Sequence, residues 1–129
     1  MGELGFDVVE ASGDRVVLRW EITPSHHQPF GIVHGGVHCS AVESAASIAA
    51  GLWFGDRGKV VGVSNHTDFI RAVRTGTLTA VASPIHRGRT QQLWQVDITD
   101  GDGKLVARGE VRLQNIDPAV IGGDPAASA

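Results

Sequence analysis

The carboxylate of Glu43 is the strongest candidate for chemistry in this sequence. Glu43 is the one formal charge between Glu21 and Asp56, and it lies in a run of small and apolar residues at 37–50 that favours a helix. Burying a carboxylate without a partner costs several kcal/mol or shifts its pKa, so packing alone seldom retains one there. We therefore predict a catalytic role for Glu43. The alternative is a structural acid that bonds Ser47 or crosses a subunit contact.

The predicted helix carries a narrow polar stripe. Ser40, Glu43 and Ser47 are spaced three and four residues apart, so they share one face of the helix. The rest of the helix is apolar on nearly every side, as expected for a helix that a sheet covers. The stripe must therefore face solvent, a ligand or another subunit.

The segment before the helix, 28–36, has the sequence Gln-Pro-Phe-Gly-Ile-Val-His-Gly-Gly. Glycine permits a tight turn and a close approach of ligands, and the first amides of a helix are unpaired donors at the positive end of its dipole. The amides of Gly35 and Gly36 could thus bind an oxyanion. By itself, His-Gly-Gly is more often a turn that starts a helix, so both interpretations stay open.

One helix cannot supply both groups to the same carbonyl. Glu43 lies eight residues beyond Gly35, which corresponds to about 12 Å along an α-helix. A carboxylate and an oxyanion donor that act on one carbonyl must each lie within roughly 3 Å of it. If both are catalytic, the Gly35 amide of one chain meets the Glu43 of another, and a homodimer is the smallest active unit.

The remainder of the chain has the pattern of an antiparallel sheet. Apolar and polar residues alternate in several short segments, separated by turn sequences such as Asp-Gly-Asp-Gly at 100–103. We predict an α+β fold in which five or six antiparallel strands wrap one long central helix. A single domain at 1–116 precedes a loosely ordered tail at 117–129. The predicted strands lie at 16–22, 60–73 (as one or two strands), 77–85, 94–99 and 105–113.

A second functional feature is a local charge pattern. Four arginines, Arg71, Arg74, Arg87 and Arg89, lie between residues 69 and 96, a stretch without Asp or Glu in a chain of net charge -3. Guanidinium groups bind phosphate well. The pattern is also compatible with arginines that are merely solvated residues at strand edges.

Composition excludes several functional classes. The net charge of -3 gives no reason to expect binding to nucleic acid or to an anionic membrane. One cysteine excludes an internal disulfide framework, and the first twenty residues lack the regions of a secretory signal. No apolar run reaches the roughly 20 residues of a membrane-spanning helix. We therefore expect a soluble cytoplasmic protein.

The histidines do not predict a metal site. His34 and His38, with His26 or His27 nearby, could imitate one, but Gly-Gly separates the first two and the HExxH arrangement is absent. We predict no metal. Cys39 is expected to be a small and inert residue of the helix. The large aromatic side chains are expected to serve packing: Trp53, Phe54 and Trp94.

The chain resembles the hotdog-fold acyl-CoA thioesterases of the PaaI-like group. It is similar above all to the aromatic acyl-CoA branch, which contains the 4-hydroxybenzoyl-CoA and 1,4-dihydroxy-2-naphthoyl-CoA thioesterases. The similarity extends over nearly the whole chain. The residues that carry it are 28–36, Glu43, Ser47, 60–62, 70–71, 84–89 and 93–94.

The resemblance implies a role for individual residues. Glu43 would attack the thioester carbonyl or activate water, and Gly35 would offer its amide to the thioester oxygen. Gln28 would help to hold the carbonyl or the water, His34 would support the oxyanion region, and Ser47 would lie beside Glu43. The pantetheine and nucleotide of CoA would contact Gly62, Phe69, Arg71, His86, Arg87, Gly88, Arg89, Thr90 and Gln91.

The same resemblance implies active sites at a dimer interface and dimers that pair into a homotetramer. The substrate would be a small, aromatic acyl-CoA, and no cofactor is expected because CoA is part of the substrate. A thiol of pKa near 8.5 leaves as thiolate without a dedicated general acid, which suits a site with one carboxylate. Two rival functions are a non-catalytic acyl-CoA or acyl-carrier binding module and a hotdog dehydratase or hydratase.

Overall fold

The structure, a computed structural model, describes residues 4–118 and consists of one long helix and six strands. Two short 3-10 helices, Pro24–His26 and Gly55–Arg57, flank the long helix. Most of the tail predicted at 117–129 lies outside the described residues. The elements in chain order are β1 Asp7–Ala11, β2 Val16–Glu21, α1 Gly35–Phe54, β3 Lys59–Phe69, β4 Thr77–Arg87, β5 Gln91–Thr99 and β6 Leu105–Ile116.

The six strands form one sheet, in the order β1-β2-β4-β5-β6-β3. Every pairing is antiparallel, and α1 packs against one face of the sheet. The predicted α+β architecture, a long central helix wrapped by an antiparallel sheet, is confirmed. β1 and β3 are the two edges of the sheet.

Small side chains let α1 lie close to the sheet. Ala41, Ala45, Ala46, Ala49 and Ala50 are fully buried on the face of the helix that packs on the strands. A close-packed interior leaves little room for larger groups there. The other face, which carries Ser40, Glu43 and Ser47, is half-buried, so the predicted polar stripe lies at the surface of the chain.

Several elements differ from the sequence-based prediction. The strands predicted at 77–85, 94–99 and 105–113 are each longer, at Thr77–Arg87, Gln91–Thr99 and Leu105–Ile116. β1 was not predicted, and its five residues are all exposed, so no buried face produced an alternating pattern. The predicted segment 60–73 contains a single strand that ends at Phe69. The helix begins at Gly35 rather than Val37, because His34 caps it.

The predicted packing aromatics differ in their burial. Trp94 is fully buried, and its indole Nε1 donates to Oε1 of Gln92 at 2.8 Å. Phe54 is nearly buried. Trp53 is half-exposed and packs beneath the guanidinium of Arg57, 4.4 Å from the ring centroid.

Candidate active site

The Glu43 side chain lies on the half-buried face of α1 and is hydrogen-bonded at both oxygens. Ser47 Oγ, one turn further along the helix, donates to Glu43 Oε2 at 3.1 Å. Asn65 Nδ2, on β3, donates to Oε1 at 3.3 Å. The carboxylate is therefore held by two elements, and it is not sealed inside the protomer.

Gly62 lies directly against this carboxylate. A Cβ atom at position 62 would come within 2.5 Å of Glu43 Oε2, closer than real Cβ contacts allow. The resemblance placed Gly62 among the residues that contact CoA. Its position shows that the absence of a side chain here makes room for Glu43.

Asn65 is a site residue that the sequence analysis missed. A β-bulge between Gly62 and Ser64 changes the alternation of β3. Simple alternation from Gly62 would turn Ser64 and His66 towards the helix, but the bulge turns Asn65 towards it instead. A bulge of this kind has no clear signature in a single sequence.

The start of α1 presents an unpaired amide. His34 is the N-cap, and its Nδ1 accepts from the Gly36 amide at 2.8 Å. The Val37 amide donates to the His34 carbonyl at 2.9 Å. Within residues 4–118, the Gly35 amide has no hydrogen-bond acceptor, which leaves it available to a ligand oxygen. The ring of Phe69 lies beside Gly35, where a Cβ at position 35 would meet it at 2.6 Å.

A cavity of about 310 Å³ opens beside the Gly35 amide. Gln28 borders the cavity, and its Oε1 accepts from the Phe30 amide, so its Nε2 remains free to donate. His38 also borders it and is nearly buried, with an Nδ1 that has no partner in the described chain. Burial lowers the pKa of the His38 imidazole below its ordinary value of 6.5. The lining residues are Gln28, Ile32, Val33, Gly35, His38, Phe69, Ile70, Arg71 and Ala72.

Glu43 does not border this cavity. The structure therefore brings Gln28, Gly35, Phe69 and Arg71 together in one place and Glu43, Ser47 and Gly62 in another. The two groups are thus separate on each chain, in agreement with the spacing of Gly35 and Glu43 along one helix.

Two of the four arginines lie beside the start of β4. Arg71 Nη1 lies 3.8 Å from Asp100 Oδ2, and Arg74 Nη1 donates to the Phe30 carbonyl at 3.0 Å. The amide of Lys104 donates to the Asp100 carboxylate and is the main reason that the pKa of Asp100 lies below its ordinary value, while the Arg71 charge adds less. Both arginines thus lie at the same end of the protomer as the Gly35 amide.

The other two arginines lie at the far end of β4, roughly 30 Å along the strand, so the four do not form one patch. Arg87 is largely occupied, since its Nη1 bonds Asp14 Oδ1 at 2.6 Å and the Gly13 carbonyl at 2.7 Å. Arg89 and Thr90 are exposed. They border a second cavity, of about 750 Å³, together with Arg57.

Buried amides hold the turn that carries Arg89 and Thr90. Asn115 Nδ2 donates to the carbonyls of Gly88 at 2.9 Å and Arg89 at 3.2 Å, and its backbone amide donates to Thr90 at 2.9 Å. Gln92, which is fully buried, donates to Asn115 Oδ1 at 2.8 Å and to the Ala50 carbonyl at 3.3 Å. The turn is therefore tied to β6 and α1.

Three further predicted contacts lie around this turn. A Cβ at Gly88 would come very close to the exposed ring of His86, so glycine permits that packing. The Gln91 side chain is half-buried and bonds Gln114 and Arg112, both at 3.1 Å. His86, Gly88 and Gln91 surround the turn, and they line neither of the two cavities described above.

The histidines near α1 have other partners. His26 Nδ1 accepts from the Thr23 amide at 2.9 Å, and His27 Nε2 lies 2.6 Å from the Arg74 carbonyl. Among residues 4–118, no group of three or more His, Cys, Asp or Glu side chains could hold a metal ion. In the same part of the chain, no helix is both long and apolar enough to cross a membrane.

Comparison with known proteins identifies the family. The sequence model of the thioesterase superfamily matches residues 30–107 of this chain. The chain belongs to this superfamily. Its resemblance to the hotdog thioesterases is thereby confirmed, as is the prediction that it is an enzyme, a thioester hydrolase.

Several relatives of this thioesterase are similar over most of its length. The structure of the provisionally named esterase Rv1847 of Mycobacterium tuberculosis is 47% identical, with a TM-score of 0.87, and the match covers 89% of this chain and 94% of that one. The structure of AziG of S. sahachiroi is 52% identical, with a TM-score of 0.87, covering 88% and 93%. The 1,4-dihydroxy-2-naphthoyl-CoA hydrolase of Listeria monocytogenes is 35% identical, covering 80% and 84%.

Proposed function

We propose that this thioesterase hydrolyses a small aromatic acyl-CoA at sites that two protomers share. The observation that carries the proposal is the separation of two complementary groups. The free Gly35 amide and the Glu43 carboxylate lie eight residues apart on one helix, about 12 Å, and each has its own surroundings. Each half lacks what the other provides.

The proposed chemistry uses one carboxylate and one oriented amide. The Gly35 amide of one protomer donates to the thioester oxygen, which gains negative charge as the carbonyl is attacked. The partner's Glu43 either attacks the acyl carbon, giving an anhydride that water then hydrolyses, or takes a proton from an attacking water. In both routes the C–S bond breaks and the CoA thiolate leaves.

Three other residues support these two groups in the proposal. The free Nε2 of Gln28, at the rim of the same cavity as Gly35, can donate to the carbonyl or to the water. His34 orients the start of the helix by accepting from Gly36. Ser47 holds Oε2 of Glu43.

The edge strand β3 supports a homodimer. It has eleven residues, most of them exposed, and only β6 pairs with it in the described chain. An exposed edge strand of this length is a ready template for another strand. Val61 and Val63 on this strand are exposed by 45% and 53%. Two β3 strands could pair in antiparallel fashion about a two-fold axis. The end of one protomer that carries Gly35 would then lie near the other end of the partner protomer.

A two-fold symmetric dimer would also bring the separated arginines of two protomers close together. Arg71, beside the Gly35 cavity, and Arg89, beside the second cavity, lie at opposite ends of one protomer. In the proposed dimer, Arg89 and Thr90 of one protomer approach the Gly35 cavity of the other protomer and contact the phosphates of CoA. Pairing of such dimers into a homotetramer completes the proposed assembly.

The aromatic acyl group is proposed from a relative and from the cavity. The Listeria relative is named for a naphthoyl-CoA substrate. The cavity beside Gly35 is lined by Phe69 and aliphatic residues as well as by the polar side chains of Gln28, His38 and Arg71. Its apolar part suits a ring. A reducing cytoplasm is the proposed location, since the single cysteine can form no internal disulfide.

A panel of thioesters tests the proposal. Purified protein is assayed for free thiol release from aryl-CoA, short alkyl-CoA and acyl-carrier-protein thioesters, with Glu43→Ala as the inactive control. We expect the highest kcat/KM on aryl-CoA substrates. Binding of acyl-CoA without turnover would favour the binding module, and hydration of an enoyl-CoA without thiol release would favour the hydratase.

A further inference from the structure

We propose that Asn65 is the positioning residue of the Glu43 carboxylate. It would hold the carboxylate in one orientation towards the thioester, and its loss would lower turnover while leaving substrate binding in place. This role rests on the proposed function, because it concerns the carboxylate assigned there to catalysis. Nothing in the family resemblance pointed to Asn65.

The Asn65 amide is itself fixed in one orientation. Its Nδ2 donates to the Cys39 carbonyl at 3.1 Å and to Glu43 Oε1 at 3.3 Å. Its Oδ1 accepts from Thr67 Oγ1 at 2.7 Å. Exchanging the oxygen and nitrogen would place Oδ1 against two acceptors and leave Nδ2 facing the hydroxyl, so the observed orientation is the one that satisfies all three partners.

The carboxylate is consequently held between two donors on different elements. Ser47 Oγ, from the helix, binds Oε2, and Asn65, from the strand, binds Oε1. Rotation of the Glu43 side chain would break both bonds. Gly62 lies beside Oε2 and leaves room for this arrangement.

The bulge in β3 makes the contact possible. Without the extra residue between Gly62 and Ser64, Asn65 would face away from α1. The strand keeps Gly62, Asn65 and Thr67 on the side of the helix despite a break in its alternation. Bulges are frequent next to active sites, where they re-aim a side chain.

A fixed carboxylate also matters for the chemistry. Attack on the acyl carbon, or removal of a proton from water, requires a defined position of the carboxylate relative to the substrate. Without Asn65, the carboxylate would keep one donor, Ser47, and would sample more orientations. The effect acts on turnover more than on CoA binding.

The first test compares Asn65→Leu, which has nearly the same shape, with Ser64→Ala on the opposite face of the same strand. For Asn65→Leu we expect kcat to fall about ten- to a hundredfold, the loss typical of one hydrogen bond to a charged group. KM should stay within about twofold, so that kcat and kcat/KM fall together. Ser64→Ala should match the wild type in both kcat and KM.

A second variant guards against misfolding. Thr67→Val removes the donor to Asn65 Oδ1 but leaves the amide in place. It should lower kcat in the same direction and by a smaller factor. Thermal melting and the oligomer size are measured for each variant, so that a loss of turnover in a folded protein is recognised as such.

The outcomes separate this inference from the proposed function. If the wild type hydrolyses thioesters and Glu43→Ala does not, an unchanged kcat in Asn65→Leu overturns the positioning role alone. If the wild type and Glu43→Ala hydrolyse thioesters equally well, the proposed role of Glu43 falls and the positioning role falls with it. A lowered kcat with an unchanged KM in both Asn65→Leu and Thr67→Val, each with the wild-type melting temperature and oligomer size, supports the inference.

Discussion

A carboxylate oxygen of Glu43 occupies the space that a side chain at Gly62 would need. The distance from Glu43 Oε2 to a Cβ at position 62 would be 2.5 Å. Either the carboxylate or the strand must move if that atom is added. This relationship ties a glycine on an edge strand to the one acid of the central helix.

Gly62→Ala is therefore expected to lower kcat by at least about tenfold, because a displaced carboxylate loses its alignment with the substrate. The kcat is measured as the rate of thiol release from the CoA thioester that the wild type hydrolyses fastest. Gly101→Ala is the matched control, since a Cβ at position 101 meets no atom within 4 Å. Equal activity in the two variants would show that the position of the carboxylate is not critical.

The Gly35 amide can be tested by comparing Gly35→Pro, which removes the N–H, with Gly35→Ala, which retains it. Proline is well tolerated at the first position of a helix, which Gly35 occupies, and it lacks the N–H. Gly35→Ala retains the N–H and makes the same Cβ contact with Phe69. We expect Gly35→Pro to have a kcat about 10²–10³-fold below that of Gly35→Ala, the cost of losing one oxyanion donor. Similar kcat values for the two variants would exclude the amide as a donor.

Arg89 is expected to act on binding rather than on turnover. Arg89→Ala should raise KM for acyl-CoA about tenfold with little change in kcat, because it removes a charge-assisted contact to phosphate far from the reacting carbonyl. Arg19→Ala, another exposed arginine, serves as the control. A truncated pantetheine thioester without the nucleotide should bind Arg89→Ala and the wild type alike. If Arg89→Ala keeps the wild-type KM for acyl-CoA, the phosphate contact is absent.

His38 is expected to make stability dependent on pH. Burial lowers the pKa of His38 below 6.5, its value in the unfolded chain. Just below pH 6.5 the unfolded state therefore binds more protons, and the free energy of unfolding falls as the pH falls, until the folded imidazole is also protonated. The slope from one proton is at most about 1.4 kcal/mol per pH unit.

Chemical denaturation between pH 7.5 and 5 tests this dependence. The non-titrating variant His38→Leu should lose less stability over this range than the wild type. The comparison between the two proteins isolates His38 from the other titrating groups. Parallel stability curves for both proteins would contradict the assignment.

Much of the fold was accessible from the sequence because its signals are local. The alternation of β4, β5 and β6 predicted their strands, and the uninterrupted small and apolar run predicted α1. The exposed strand β1 gave no such signal. Its place in the sheet depends on pairing with β2, which no local pattern encodes.

The candidate site was only partly accessible. Helical spacing alone separated Gly35 from Glu43, and it predicts a second chain if both groups act on one carbonyl. The role of Gly62 and the contact from Asn65 depend on a bulge and on how β3 crosses the helix, which are tertiary features. Nearness in sequence also grouped four arginines that the strands carry to opposite ends of the sheet.

Complementation between two inactive chains tests the shared site most directly. Gly35→Pro and Glu43→Ala are co-expressed with different affinity tags, and the mixed assembly is purified through both tags. A mixed dimer has one site with both groups intact and one with neither, so it should recover about half of the wild-type activity. If each site were built within a single protomer, the mixed assembly would be no more active than the mean of the two single variants, and the account would be contradicted.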